Sequence, residues 1–334
     1  MPVITTHLGR RFESRDGETL LDAALRHGLA FPYSCRTGRC STCKGRLADV
    51  AATMALTDEL GLSQAERETG AILTCVRTAT ADLRLEIEDL TGVTLHPAQT
   101  LPCRIDGLAR LAPDVLQVVL RLPPASTLRY HPGQYVDVIG PGGLRRSYSL
   151  ANAPREDRRL ELHVREVPGG EMSRYWFEQA KVDDLLRLRG PLGTFFLRSA
   201  GERDLVFLAT GTGIAPVKAI MEGLQRPSDA TTRPRSVTVL WGGRRAEDLY
   251  WAPSPDLPDH RFIPVLSRAD ASWDGARGHV QQVLVDGPPR DWTTTWVYAC
   301  GSDAMIHGAR ERLTAAGLPP GQFLSDAFVC SAPA

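Results

Sequence analysis

No apolar run in the 334-residue sequence approaches the roughly 18 residues that a membrane-spanning helix needs, and its opening, MPVITTHLGRR, lacks the apolar core of a secretory signal. A cytoplasmic protein with no membrane partner is the expectation. An excess of charge of either sign is also missing, with 39 Lys and Arg against 39 Asp and Glu, so nothing draws the chain to nucleic acid or to an anionic surface. There is no internal repeat and no low-complexity tract. Cysteine is scarce and odd in number: of seven, four fall between residues 35 and 75, and Cys103, Cys300 and Cys330 are scattered, which makes a poor disulfide framework. Metal ligation or redox chemistry fits that distribution better.

A chain of this length has room for two or three domains. Residues 1–92 open with a strand pattern and the capped amphipathic stretch ETLLDAALRHG, in which Leu20, Leu21, Ala24 and Leu25 share one helical face, while TADLRLEIEDL alternates at Leu83, Leu85 and Ile87 as a half-buried strand does. The polar, Pro-containing TGVTLHPAQTLP (91–102) reads as a linker. Short alternating runs at 115–122, 133–139 and 159–167, punctuated by Pro and Gly, point to an antiparallel barrel or sandwich. From 202 to 334 strands and helices alternate, through DLVFLA, VKAIMEGL, SVTVLW, HRFIPVL and TTWVYAC to a helical SDAMIHGARERLTAAG. That rhythm builds an α/β domain with a parallel sheet. The expected architecture is multidomain: an α+β unit, an antiparallel β-barrel and an α/β parallel-sheet domain.

Within the first segment, SCRTGRCSTCKG (34–45) spaces Cys35, Cys40 and Cys43 as C-x4-C-x2-C, and Cys75 follows after 31 intervening residues in GAILTCVR. This is the plant-type [2Fe-2S] spacing, in which four thiolates hold two irons. Gly38 sits where a backbone wrapping a cluster takes positive φ and brings amides close to sulfur. Arg36, Arg39 and Lys44 would offset the cluster's negative charge. Two blander readings stand beside this one, inert buried cysteines and a zinc site, although zinc usually takes paired C-x2-C knuckles.

Three more motifs lie downstream. RRSYSLANAP (145–154) offers a guanidinium suited to phosphate at Arg146 and a flat apolar face with a polar tip at Tyr148, and VREVPGGEMSRYW (164–176) sets Gly169, Gly170 and Ser173 ahead of a helix whose N-terminus would receive phosphate oxygens. Alone, RSYS reads equally as a strand with an exposed arginine. TGTGIAPVKAI (210–220) follows an apolar strand and opens a helix, so Gly211 and Gly213 let the backbone approach a pyrophosphate, but Pro216 stands where a third glycine would complete G-x-G-x-x-G. Arg244 and Arg245 in WGGRRAEDLY, with Arg268, could face a 2′-phosphate or simply solvent.

These residues together resemble the ferredoxin-NADP reductase family. Arg146-Ser147-Tyr148-Ser149 is similar to its R-x-Y-S/T flavin signature, Gly211, Gly213, Ala215 and Pro216 to its G-x-G-x-A-P turn, VYACGSDAMI (297–306) to its C-G motif, and FLSDAF (323–328) to its carboxy-terminal acidic-x-aromatic signature. The resemblance implies a β-grasp ferredoxin domain over 1–92, an FAD-binding barrel over 99–201 and an NAD(P)-binding domain over 202–334. It places Cys35, Cys40, Cys43 and Cys75 on the metal; Arg146, Ser147, Tyr148, Ser149, Val164, Gly169, Gly170 and Ser173 around FAD; and Thr210, Gly211, Gly213, Ala215, Pro216, Cys300, Gly301 and Phe328 around the nicotinamide and flavin rings. Ser149, Cys300 and Asp326 would screen the reacting atoms. Hydride from NAD(P)H, with NADH favoured, would reach FAD, and single electrons would pass to the cluster and on to an acceptor protein.

Runs such as GAILTC, ELHVR, GTFF and SDAF are similar to reductase components of bacterial oxygenases and to CDP-6-deoxy-glucoseen reductases of deoxysugar synthesis. The expected acceptor is an oxygenase component; a pyridoxamine-dependent deoxysugar dehydrase is the alternative, and a non-enzymatic metal-binding interaction protein is the reading from another class. A basic rim of Arg36, Arg39, Lys44 and Arg46 around the cluster would steer it to an acidic patch, or would simply be solvated.

Overall fold

The computed structural model describes residues 1–90, 92–198, 201–225, 233–255 and 260–328. Cys330 lies outside the described residues. Two compact units divide the chain, one ending at His96 and the other running from Pro97 to Phe328.

In the first unit, Thr19 ends the extended chain and its hydroxyl accepts the Asp22 N–H at 3.0 Å, starting the helix Leu20–Arg26. Leu20, Leu21, Ala23 and Ala24 are buried against a mixed five-stranded sheet in the order Arg11–Glu13, Val3–Thr6, Leu83–Glu86, Lys44–Leu47, Ala71–Leu73. Only the pairing of Val3–Thr6 with Leu83–Glu86 is parallel. Phe12, Phe31, Ile72 and Leu85 fill the core.

The second unit begins with a six-stranded antiparallel sheet, ordered Arg145–Ser149, Tyr135–Ile139, Leu185–Leu192, Gln99–Ala112, Val115–Arg121, Arg159–Arg165. Its edges meet at a Leu150–Leu162 bridge, which closes the sheet on itself. The stretch 99–102 is therefore strand and not linker: Thr100 and Leu101 pair with Arg189 and Leu188, and this backbone pairing overrides the polar, Pro-containing composition. An all-parallel sheet follows in the order Ala276–Arg277, His260–Leu266, Ser236–Gly243, Asp204–Thr210, Thr295–Ser302, Phe323–Phe328. Its central strand, DLVFLAT, is buried on both faces, which is why it reads as continuous rather than alternating apolar sequence. The chain order runs outward from Asp204–Thr210 on one side and then returns to the other, so the switch point lies between Asp204–Thr210 and Thr295–Ser302. Ligands of such sheets sit outside the carboxyl ends at that point.

Where barrel and parallel sheet meet, Glu161 and His163 are buried, with His163 Nε2 2.9 Å from a Glu161 carboxylate oxygen. Burial pushes the Glu161 carboxyl up, but hydrogen bonds from His163 and Gln117 and the charge of Lys218 outweigh it and hold it at about 2; burial pushes the His163 imidazole below its ordinary 6.5. Both groups bind protons more readily in the unfolded chain, so stability is fully present above pH 6.5 and is lost as pH falls, first through the histidine and then, below 4.5, through the glutamate. Melting temperatures taken from pH 8 to pH 4 should fall along that course, and His163→Gln should remove the part of the decline that begins at 6.5.

Candidate functional site

The cysteine loop follows the first helix and turns tightly, with positive φ at Arg36 (58°), Gly38 (74°) and Ser41 (60°). At Gly38 a Cβ would lie 2.6 Å from the Asp58 carbonyl oxygen, so only glycine fits there. Amides point at sulfur: Cys35 N–H donates to Cys40 Sγ and Thr37 N–H to Cys35 Sγ, each at 3.4 Å. The four thiols meet as two pairs. A hydrogen bond from Cys40 lowers Cys35 to about 5, and one from Cys43 lowers Cys75, while the two donors are pushed well above the ordinary thiol value. In each pair, then, one thiol is made more acidic and its donor less so.

Among the described residues no three His, Cys, Asp or Glu side chains converge on a single ion. The four thiols meet instead as two pairs with amides directed at sulfur, which is the donor set a two-iron centre takes. The residues fit the two-iron centre. Its rim differs from the basic surface expected from sequence. Arg36 pairs with Asp22 and Lys44 with Glu66, and Arg46 stands opposite Glu86 on the neighbouring strand, so much of the positive charge is compensated locally.

On the barrel, Arg146 and Ser147 are exposed, Tyr148 is half-buried and Ser149 is buried. The Arg146 guanidinium donates to the Arg145 carbonyl at 2.7 Å and pairs with no carboxylate among the described residues, which leaves charge for a phosphate. Ser147 Oγ donates to Asp137 at 2.7 Å. Trp176 Nε1 donates to the Tyr148 hydroxyl oxygen at 2.9 Å, and the two rings meet edge-on at 83°. Trp176 thus sets the plane of the tyrosine, whose hydroxyl pKa burial pushes up to about 12. Nothing in the spacing of YWF marks that role. The Val164 side chain lies in the barrel core, so any contact it makes with a bound group is through its backbone. Gly169 takes φ 74° with open space around it, and Gly170 caps the helix Glu171–Arg174. Ser173 lies inside that first turn and not ahead of it, and its hydroxyl oxygen accepts the Val167 N–H at 2.7 Å, which anchors the turn.

At the switch point the turn Gly211–Gly213 leads into the helix Ile214–Leu224, whose first amides receive no side-chain cap. A Cβ on Gly213 would lie 2.2 Å from the Cys300 carbonyl oxygen, and one on Gly301 2.2 Å from Thr210 Oγ1. Thr210 Oγ1 also accepts the Ser302 N–H at 3.1 Å. The two strand ends are therefore stitched together, and the uncapped amides open onto a backbone cradle suited to a pyrophosphate. Ala215 and Pro216 are buried and pack the helix. Cys300 is fully buried opposite Asp326 on the adjacent strand; burial, reinforced by the Asp326 charge, pushes the thiol well above its usual value, so it remains neutral. Phe328 is half-buried opposite Ser302. A cavity of about 510 Å³ is lined by Arg245, Arg268, Asp270 and Trp273, while Arg244 is not part of it.

Family models match all three segments: a 2Fe-2S iron-sulfur cluster binding domain over 5–80, an oxidoreductase FAD-binding domain over 102–197 and an oxidoreductase NAD-binding domain over 207–311. The chain is 39% identical to CDP-6-deoxy-L-threo-D-glycero-4-hexulose-3-dehydrase reductase of Yersinia pestis, over 96% of each chain, and 37% identical to the reductase subunit of an aromatic O-demethylase of Amycolatopsis, over 89% of this chain and 90% of that one. The crystal structure of Amycolatopsis cytochrome P450 reductase GcoB superposes with a TM-score of 0.78 at 31% identity, covering 99% of this chain and 100% of that one.

The chain belongs to the ferredoxin-NADP reductase superfamily, among its three-module reductase components. It is an NAD(P)H oxidoreductase with a [2Fe-2S] module, an FAD module and a nucleotide module.

Cys40→Ser should abolish cluster assembly, read as lost iron and inorganic sulfide, while NADH-to-dye activity at the flavin is kept. Gly213→Ala should do the opposite: the clash with the Cys300 carbonyl costs about 1–3 kcal/mol of stability in calorimetry and slows flavin reduction by NADH with iron content unchanged.

Proposed function

We propose that the chain takes hydride from NADH and delivers single electrons to the oxygenase component of a bacterial mono- or dioxygenase system, using modules over 1–92, 99–201 and 202–334. The observation that carries this reading is the switch point itself: the uncapped Gly211–Gly213 turn, Cys300 and Asp326 come together at the strand ends of the unit that also presents Arg146 to Ser149. When bound, FAD supplies the conversion between a two-electron donor and a one-electron acceptor.

In this reading Arg146 and the Gly169–Gly170 turn hold the flavin phosphates, and Tyr148, locked by Trp176, covers the ring. The buried Ser149 hydroxyl offers a hydrogen bond at the reacting edge. Cys300, as a neutral thiol, excludes water without adding charge, and Asp326 and Phe328 close the far side. Thr210 and Gly301 hold the turn open for the nucleotide. NADH rests on the resemblance, whereas Arg245 and Arg268 at the cavity are the groups a 2′-phosphate would meet, so both nucleotides belong in the test. No helix is long and apolar enough to cross a membrane, and a cytoplasmic setting would keep the cluster thiols reduced.

A deoxysugar dehydrase as acceptor is the second reading, favoured by the 39% identity to the Yersinia reductase. Anaerobic NADH should bleach both the flavin and iron-sulfur absorption of the purified chain, and turnover should follow on adding an oxygenase component but not a dehydrase. Turnover only with the dehydrase selects the second reading; no bleaching with either nucleotide defeats both. Because Arg36 and Lys44 are already paired with acids, acceptor turnover should change by no more than about twofold between low and physiological salt.

A further inference from the structure

Between the barrel and the parallel sheet lies a group of charged side chains to which no cofactor contact is assigned, among them Lys218 near the end of the TGTGIAPVKAI stretch. Lys218, on the helix Ile214–Leu224, donates to the Ala151 carbonyl at 2.9 Å, to Glu161 at 3.0 Å and to Glu222 at 2.7 Å. An ammonium has three donors, and here all three are used. Ala151 stands two residues beyond Ser149, and Glu161 is on the barrel strand Arg159–Arg165. Glu222, one turn further along the same helix, reaches back to the Ala153 N–H at 3.1 Å and to Arg155 at 3.2 Å. Two cations thus face two carboxylates, which is the balance a part-buried ionic group needs.

A second path leaves the same Glu161 carboxylate. His163 bonds it at 2.9 Å, the Tyr250 hydroxyl lies 3.3 Å from the other imidazole nitrogen, Tyr250 meets Trp241 edge-on at 5.0 Å, and Trp241 Nε1 donates to the Gly211 carbonyl at 2.9 Å. A neutral imidazole protonated on Nε2 satisfies both of its neighbours. The barrel is therefore connected to the nucleotide side in two ways, from Ala151 directly to Lys218 and from Glu161 through His163, Tyr250 and Trp241 to the glycine turn.

Elsewhere this helix approaches the barrel through apolar groups: a Cβ on Gly133 would meet Ile220 at 3.0 Å, and one on Gly223 would meet Pro132 at 3.1 Å. Apolar contact resists separation but is non-directional. Hydrogen bonds are directional, so a slide of one residue along a helix axis, about 1.5 Å, would break the Lys218 bonds to Ala151 and Glu161, while the bond to Glu222 travels with the helix. Hydride transfer needs its reacting atoms about 3–3.5 Å apart.

Resting on the proposed function, we propose that Lys218 is a positioning residue for hydride transfer, fixing the register of the nucleotide-side helix against the flavin-side strand and with it the donor-to-acceptor distance. It touches neither cofactor and acts through Ala151 and Glu161.

Stopped-flow reduction of the flavin-loaded, cluster-loaded chain by NADH and by 4-deuterated NADH tests this. Lys218→Ala should lower the limiting rate of flavin reduction by about 10- to 100-fold, raise the primary isotope effect and leave the Kd for NADH within about twofold, with flavin and iron content unchanged. Lys218→Arg, which keeps the donors, should recover most of the rate. If Lys218→Ala fails to fold, Glu222→Gln, which weakens the contacts of Glu222 to Ala153 and Arg155 across the same junction, should give a smaller drop in the same rate and a rise in isotope effect of the same sign. A lower melting temperature with an unchanged limiting rate and isotope effect overturns the proposal, as does a change confined to Kd. If the unaltered chain is not reduced by NADH at all, it is the proposed function that fails.

Discussion

The molecule depends on the close approach of two strand ends. Gly213 and the Cys300 carbonyl, and Gly301 and Thr210, are so near that neither glycine could carry a side chain. Because that junction lies at the switch point of a parallel sheet, the backbone itself forms the floor of the crevice, and the amides beginning the helix Ile214–Leu224 have no side-chain cap. Side chains placed there to bind phosphate would occupy the space the phosphate needs. Cys300 and Asp326 become neighbours only because adjacent parallel strands bring positions 26 residues apart into register.

From this junction the rest follows in layers. The barrel must present a flavin to the crevice with sub-ångström reliability, and the apolar surfaces that join barrel and sheet cannot supply that alone because they tolerate sliding. The part-buried charges around Lys218 supply direction, and their balance of two cations with two carboxylates keeps the desolvation cost bounded. The same logic explains Trp176: burial of an aromatic is non-directional, so the orientation of Tyr148 comes from the indole N–H. At both places an isotropic contact brings surfaces together and one hydrogen-bonded group sets their geometry.

How much of this was legible in the sequence depended on whether the information was local. The spacing of Cys35, Cys40 and Cys43, the strand-turn-helix around Gly211 and Gly213, and the buried run DLVFLA are local patterns, and the structure has the sheet and helix they implied. The partnership of Lys218 with Glu161 and Ala151 spans 57 and 67 residues and left no periodic trace. Ser173 was legible as a residue near a helix start but not as a member of its first turn, a distinction of a residue or two that backbone hydrogen bonding decides. The strand at 99–102 was masked by its proline and polar neighbours. The basic rim misled for a related reason: Arg36 and Lys44 adjoin the cysteines in sequence, while Asp22 and Glu66, which compensate them, lie 14 and 22 residues away.

The cysteines show most clearly why residue type underdetermines chemistry. Cys103, buried in the barrel core opposite Leu186, is pushed up to about 12 by burial alone and behaves as a small apolar side chain. Cys300 is also pushed up by burial, with the charge of Asp326 beside it adding to the effect, so the thiol is neutral. Cys35, with Cys40 donating to it and the Thr37 amide directed at it, is instead lowered to about 5. Three environments thus give one side chain three different acidities. What separates them is the number of donors aimed at sulfur, which the fold sets through loop conformation: the positive-φ turns at Arg36 and Gly38 direct amides inward at the metal loop, while Cys103 and Cys300 lie in strands whose amides are committed to the ladder.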